Sequence, residues 1–222
     1  MKTATWQQTE LTSIKHIAVI GANVFGNSSH DNLAINLARM PEAKTLLLID
    51  GNAKCLHHEN SLHNELIRLD HLSVSLLCAV LLPKKLCSLR ENEDLYFYSR
   101  DSLSGGNYFG LKIDCDRRCD RSINIDNIAA TSQKVDLPVL SVGFLNEYNP
   151  DFLQIDIEGP DIEIVYELIT QTPCRPKCIV AEYQYQLMAN IKNFNNVMKR
   201  NGYKLLPHPE SPEMNLVYLK QE

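Results

Sequence analysis

Short apolar runs that close on a glycine or an acid alternate along this chain with stretches of helical period, and few folds can be built that way. "IKHIAVIGAN" is a compact apolar run ending at Gly21, the mark of a strand buried on both faces. "SSHDNLAINLARM" follows, with Leu33, Leu37 and Met40 on one helical face and Ser, His and Asp ahead of them as N-cap chemistry. "KTLLLIDG" reads as a second buried strand, "AKCLHHENSLHNELIRL" as a second helix and "LSVSLLCAVL" as a third strand. Strand "DFLQIDIEG" leads into helix "PDIEIVYELITQ", with Pro160 suited to its first turn. Strand "KCIVAEYQ" leads into helix "LMANIKNFNNVMKRNG", which Gly202 terminates. Repeated strand-helix units call for a mainly parallel sheet covered on both faces.

Two closing strands, "YKLLPH" and "NLVYLK", are joined by the short Pro-rich turn "PESPEM" and so must run antiparallel. The expected fold is therefore α/β: a doubly wound, mostly parallel sheet with an antiparallel C-terminal hairpin. At 222 residues one domain, 1–222, accommodates it. The span from about 95 to 150 shows a Gly-Gly turn and no sustained helical period, and reads as an irregular insertion carrying short antiparallel strands.

Bulk properties narrow the function. A formal charge of -5 and a pI near 5.8, with no basic stripe, argue against a nucleic-acid partner. The pairs in "LPKKL" and "MKR" read as solvated ends. The longest apolar run, Leu76 to Pro83, is far short of the roughly 20 residues a spanning helix requires, so no membrane association is expected. With no export signal and seven cysteines, an odd count, the expected compartment is a reducing cytoplasm. "CDRRC" and "CRPKC" share a spacing, but C-x3-C is loose for zinc and the pairs lie far apart, so no metal is expected. His57, His58 and His63 fall on a polar helical stretch and read as a solvated face.

Chemistry gathers where strands end. Gly21 permits a sharp turn and close backbone approach, Gly26 offers a second permissive point, and a helix with free N–H groups follows. Asp50 closes the second strand, where an acid can accept both hydroxyls of a ribose. The closely spaced GxGxxG set of pyrophosphate cofactors is absent, which disfavours NAD and leaves a ribose-bearing cofactor without phosphate. In "FLQIDIEGPDIEIVYELI", Asp156 and Glu158 alternate with Ile157, so both acids point the same way from the lip of a strand. One could steer a cationic group or take a substrate proton and the other position the substrate; alternatively they cap the helix that follows.

"IAVIGANVFGNSS", "LLLIDGNAK", "SVSLLCAVL" and above all "FLQIDIEGPDIEIVYELI" resemble, in that order, the motifs of the FkbM-type class I methyltransferases. The last is similar to that family's "KIDVEGAE" signature, and the terminal hairpin suits the Rossmann-like methyltransferase fold. The resemblance spans about residues 15 to 205 and implies S-adenosylmethionine as cofactor, with O-methylation of a sugar or natural-product hydroxyl. It implies that Gly21, Ala22 and Asn23 line the methionine side and that Ser29 takes the place of the family's serine early in the first helix; Gly26 and Ser29 are expected among the cofactor-binding residues. Asp50 would bind the ribose, Ala79 would lie beside the adenine, and Asp156 and Glu158 would stand at the reacting end. Glu182, ending "IVAE", matches an acid often found after the fifth strand. The sequence departs from the family pattern in the longer "GANVFG", in "DG" after the second strand, and in Gln154 where a lysine usually stands. The partner expected is a small-molecule acceptor, and a homo-oligomer is compatible with the sequence. Two other readings stay open: a noncatalytic cofactor-binding or interaction subunit, and an NAD-dependent oxidoreductase.

Overall fold

The computed structural model describes residues 11, 13–21, 32–51, 66–89, 95–99, 108–111, 133–134, 137–157, 160–183, 188–207 and 215–221. Its body is a seven-stranded sheet made of β1 (His16–Ile20), β2 (Thr45–Asp50), β3 (Ser73–Cys78), β9 (Phe152–Ile155), β10 (Cys178–Glu182), β11 (Tyr203–Pro207) and β12 (Asn215–Lys220). The order across it is β11-β12-β10-β9-β1-β2-β3. Every pair from β10 to β3 is parallel, whereas β12 is antiparallel to both its neighbours, β10 and β11. The closing hairpin thus inserts its second strand inside its first, and β12 alone runs against the rest.

Two apolar clusters sandwich the sheet, and the pleat decides which residue joins which. Ala18, Ile20, Leu47, Ile49, Leu153, Ile155, Ile179 and Ala181 face one way. Against them pack α4 (Asp161–Gln171) and α5 (Met188–Arg200). Ile191, Phe194 and Met198 sit on the buried stripe of α5 while Lys192 and Lys199 face water, the pattern that makes a surface helix dock. Ile17, Val19, Leu46, Leu48, Phe152, Cys178 and Val180 face the other way, under Ala34, Leu37 and Ala38 of α1 (Asn32–Ala38). Each fully buried Leu or Ile contributes roughly 1.5–3 kcal/mol. Gly202 closes α5 at φ +81, donating its N–H to Lys199 O at 3.0 Å, as the sequence requires.

The run "LSVSLLCAVL" is two strands rather than one. β3 pairs with β2 as far as Cys78; then the chain switches sheets at Ala79, and β4 (Val80–Leu82) pairs in parallel with β8 (Val139–Ser141). Ala79 N–H still reaches Asp50 O at 3.1 Å, whereas Val80 N–H turns to Pro138 O at 2.9 Å. Between β4 and β8 lie α2 (Lys84–Leu89), β5 (Leu95–Ser99), β6 (Tyr108–Leu111) and β7 (Gln133–Lys134), with β5 antiparallel to both β6 and β7. A further helix that the residue pattern does not announce, α3 (Val142–Tyr148), drives Val142 and Leu145 into the first cluster. None of the described helices is long and apolar enough to cross a membrane. Most of the helix expected over "AKCLHHENSLHNELIRL", with His57, His58 and His63, lies outside the described residues.

Candidate functional site

The strand register brings the acids that end the strands to one level. Ile20 is level with Ile49 of β2 and with Ile155 of β9, and Ile155 with Ala181 of β10. One residue further on, Asp50, Gly21, Asp156 and Glu182 therefore form a row across the carboxyl ends of four neighbouring strands. Alternation puts the three acids on the face whose next row is Leu48, Val19, Gln154 and Val180. Ile157 packs with the opposite cluster, as that alternation demands. Asp50 and Glu182 are 4% and 3% exposed, and Asp156 is half-buried. Asn215, 5% exposed, extends the row as the register partner of Glu182, and Gln154, 3% exposed, lies one step beneath Asp156. Burying this much polar chemistry at one edge of a core is costly unless hydrogen bonds or a ligand offset it. In an open parallel sheet this carboxyl edge is where ligands bind.

Gly21 holds the row together. Its φ of +77 is a left-handed conformation that side chains disfavour. Its N–H donates to Ile49 O at 2.8 Å, and Asp156 N–H donates to Ile20 O at 2.9 Å, so the ladder runs one rung past the strands. A Cβ on Gly21 would lie 1.7 Å from the carbonyl oxygen of Asp156 and 3.0 Å from Cγ2 of Ile157. The closest approach this glycine allows is thus to the chain's own backbone.

The turn after β9 is tied by a residue that the motif reading passes over. Asp161, 2% exposed, accepts the Ile157 N–H on Oδ1 at 2.8 Å. Helix α4 starts at Asp161, so Pro160 stands at the N-cap and not in the first turn; it makes no side-chain cap bond, but its carbonyl accepts the Ile164 N–H at 2.9 Å. Asp161 and Glu163 put negative charge in the first turn, where the helix dipole favours it. An acid directly after a proline at a helix start was the available sequence signal.

Of the residues singled out from sequence, Gly21, Asp50, Asp156 and Glu182 come together. Ala79 is tied to Asp50 through its main chain, but its methyl belongs to the first cluster, across the sheet from the acids. Ala22, Asn23, Gly26, Ser29 and Glu158 lie outside the described residues. Among the cysteines, Cys115 and Cys119 lie outside the described residues too. Cys174 and Cys178 sit in opposite clusters; burial pushes the Cys174 thiol up to about 11 despite the nearby Arg175, and the Cys178 thiol up to about 12.

An open, mostly parallel sheet with a single reversed strand next to its edge strand is the layout of the class I methyltransferase fold. A family model described as the methyltransferase FkbM domain matches residues 21–205, and the chain belongs to that family. The crystal structure of precorrin-6y C5,15-methyltransferase from Geobacter metallireducens GS-15 is similar at 10% identity, over 99% of this chain and 91% of that one, with a TM-score of 0.39, a likeness too distant to bear on the site. Among curated proteins none matches the chain.

Proposed function

We propose that this protein methylates a hydroxyl of a small molecule or sugar in the cytoplasm, with S-adenosylmethionine as donor and the whole chain working as one domain. One observation carries the reading: the row Asp50, Gly21, Asp156 and Glu182 on one level of the sheet's carboxyl edge. The donor set suits that cofactor, because a buried carboxylate ending β2 can accept a ribose diol, while the other acids favour a cation. S-adenosylmethionine supplies a methyl carbon made electrophilic by its sulfonium. Asp50 holds the ribose; Gly21, Ala22 and Asn23 line the methionine side, and Gly26 and Ser29 belong to the same cofactor-binding set. The backbone at Ala79 borders the adenine, since its methyl is engaged elsewhere. Asp156 holds the acceptor hydroxyl and takes its proton, and Glu158 fixes the acceptor's orientation. Gln154 beneath them adds no charge to the row.

Calorimetry with S-adenosylmethionine, its demethylated product and NAD tests this. The first two are expected to bind and NAD is not. Asp50→Ala should weaken binding by about 1–3 kcal/mol, some 5- to 150-fold, because the ribose hydroxyls lose a buried partner. Binding of NAD alone would turn the reading toward an oxidoreductase, and binding of none of the three would leave an interaction subunit.

A further inference from the structure

We infer that Gly21 is a positioning residue for Asp156: the missing side chain at 21 seats the Asp156 backbone, and through it sets where the Asp156 carboxylate stands. The inference deepens the function proposed above and rests on it for what Asp156 does.

The geometry separates two reasons for a glycine that are easily merged. A φ of +77 by itself costs a side chain strain, yet Asn adopts such angles at Asn149 in this same chain, with φ 52. The second reason is specific. The space a Cβ would fill at Gly21 is occupied by the Asp156 carbonyl, with oxygen at 1.7 Å and carbon at 2.5 Å. Backbone atoms cannot swing aside as the tip of a flexible side chain can. Asp156 is also pinned on its other side, by its own N–H to Ile20 O at 2.9 Å and by the next residue's N–H to Asp161 Oδ1 at 2.8 Å. An L side chain at 21 must therefore push the peptide after Asp156, and the half-buried carboxylate moves with it. Gly21 and Asp156 thus behave as one packed contact.

The test reads the Asp156 carboxyl directly, by carbon NMR of protein labelled at Asp side-chain carbons. Asp156→Asn assigns the resonance, and Asp151, at the other end of β9, serves as internal control. In Gly21→Ala the titration midpoint of Asp156 should shift by about one pH unit, the ordinary spread of carboxylates among protein environments, while Asp151 keeps its own. A folded Gly21→Ala chain with Asp156 unmoved overturns the inference. If Gly21→Ala does not fold, D-alanine at 21, introduced by ligation at Cys55, decides. D-alanine favours positive φ and carries its methyl in place of the other α-hydrogen, leaving the position that the Asp156 carbonyl occupies without a substituent. A wild-type Asp156 midpoint there supports the inference; a displaced midpoint, or failure to fold, overturns it. Calorimetry that finds no cofactor binding by the wild-type chain removes the proposed function and leaves this contact standing.

Discussion

The two ends of the central strands are built to opposite specifications. At the amino end of β9, Asp151 is engaged on every side. Its Oδ2 accepts Lys15 N–H at 2.8 Å and His16 N–H at 3.0 Å, and Oδ1 meets Lys177 Nζ at 3.0 Å. Its own N–H donates to His16 O at 2.7 Å, and its carbonyl accepts from Lys177 and Cys178. Close by, His16 Nδ1, Thr45 Oγ1 and Tyr148 OH form a chain that ends on Ile17 O. Here one acid joins three segments, and cations and main-chain donors come to it. At the carboxyl end, three acids share a row across four strands, two of them nearly inaccessible, with Gly21 wedged between. Stability accounts for the first arrangement. The second gathers carboxyls along one edge of a core, which is the expected mark of a binding edge.

If that contrast is right, substitutions at the two ends should fail in different ways. Asp156→Asn, nearly isosteric, should leave melting unchanged and cofactor affinity within a few-fold, while turnover of an identified acceptor falls roughly 10²–10⁴-fold. A variant that melts early but turns over normally would make the carboxyl edge as structural as the amino edge. Gly21→Ala should lose stability, by about 1–2 kcal/mol for the left-handed backbone and about 1–3 kcal/mol for the crowding against Asp156. Urea unfolding of the variant measures the sum, and a loss no larger than the conformational part would deny the contact.

Asp151→Ala should cost about 1–2 kcal/mol, chiefly from two main-chain donors left without their acceptor, because the ion pair to half-exposed Lys177 contributes little. Its cofactor affinity should match the wild type; a matching loss of affinity would couple the two ends. The smallest effect is in acid. Burial would raise the Asp151 carboxyl, but hydrogen bonds from Lys15, Lys177 and His16, with the Lys177 charge, outweigh it and hold the group below its usual range. A depressed carboxyl adds stability that is complete above the unfolded value near pH 4 and is lost as pH falls through the folded one. Stability against pH below about 4 should consequently slope less steeply in Asp151→Asn than in wild type. Equal slopes would place the acid sensitivity elsewhere.

Much of this was legible in the residues because strands buried on both faces leave a plain signature. "HIAVI", "TLLLID" and "CIVAE" contain hardly a polar residue before their ends, and each forms a strand. The acids Asp50, Asp156 and Glu182 were visible as the residues that close such runs. The break at Ala79 was not, because it depends on Pro138, far along the chain, offering its carbonyl to Val80. Seven residues of α3 are too few to display a period, and only the burial of Val142 and Leu145 identifies its inner side.

Periodicity and punctuation along the chain determined which segments are strands, which are helices, and that most strands run parallel, because those properties follow from neighbours a few residues apart. What the sequence left open is which residues stand beside one another. Only register, the hydrogen-bonded stagger of separate strands, set Asp50, Gly21, Asp156 and Glu182 on one level and placed β12 inside β11. The sequence likewise marked Gly21 as a glycine that a turn needs. That its open side holds the carbonyl of Asp156 was decided by tertiary packing, since contacts between distant segments depend on how two faces pack and not on local pattern.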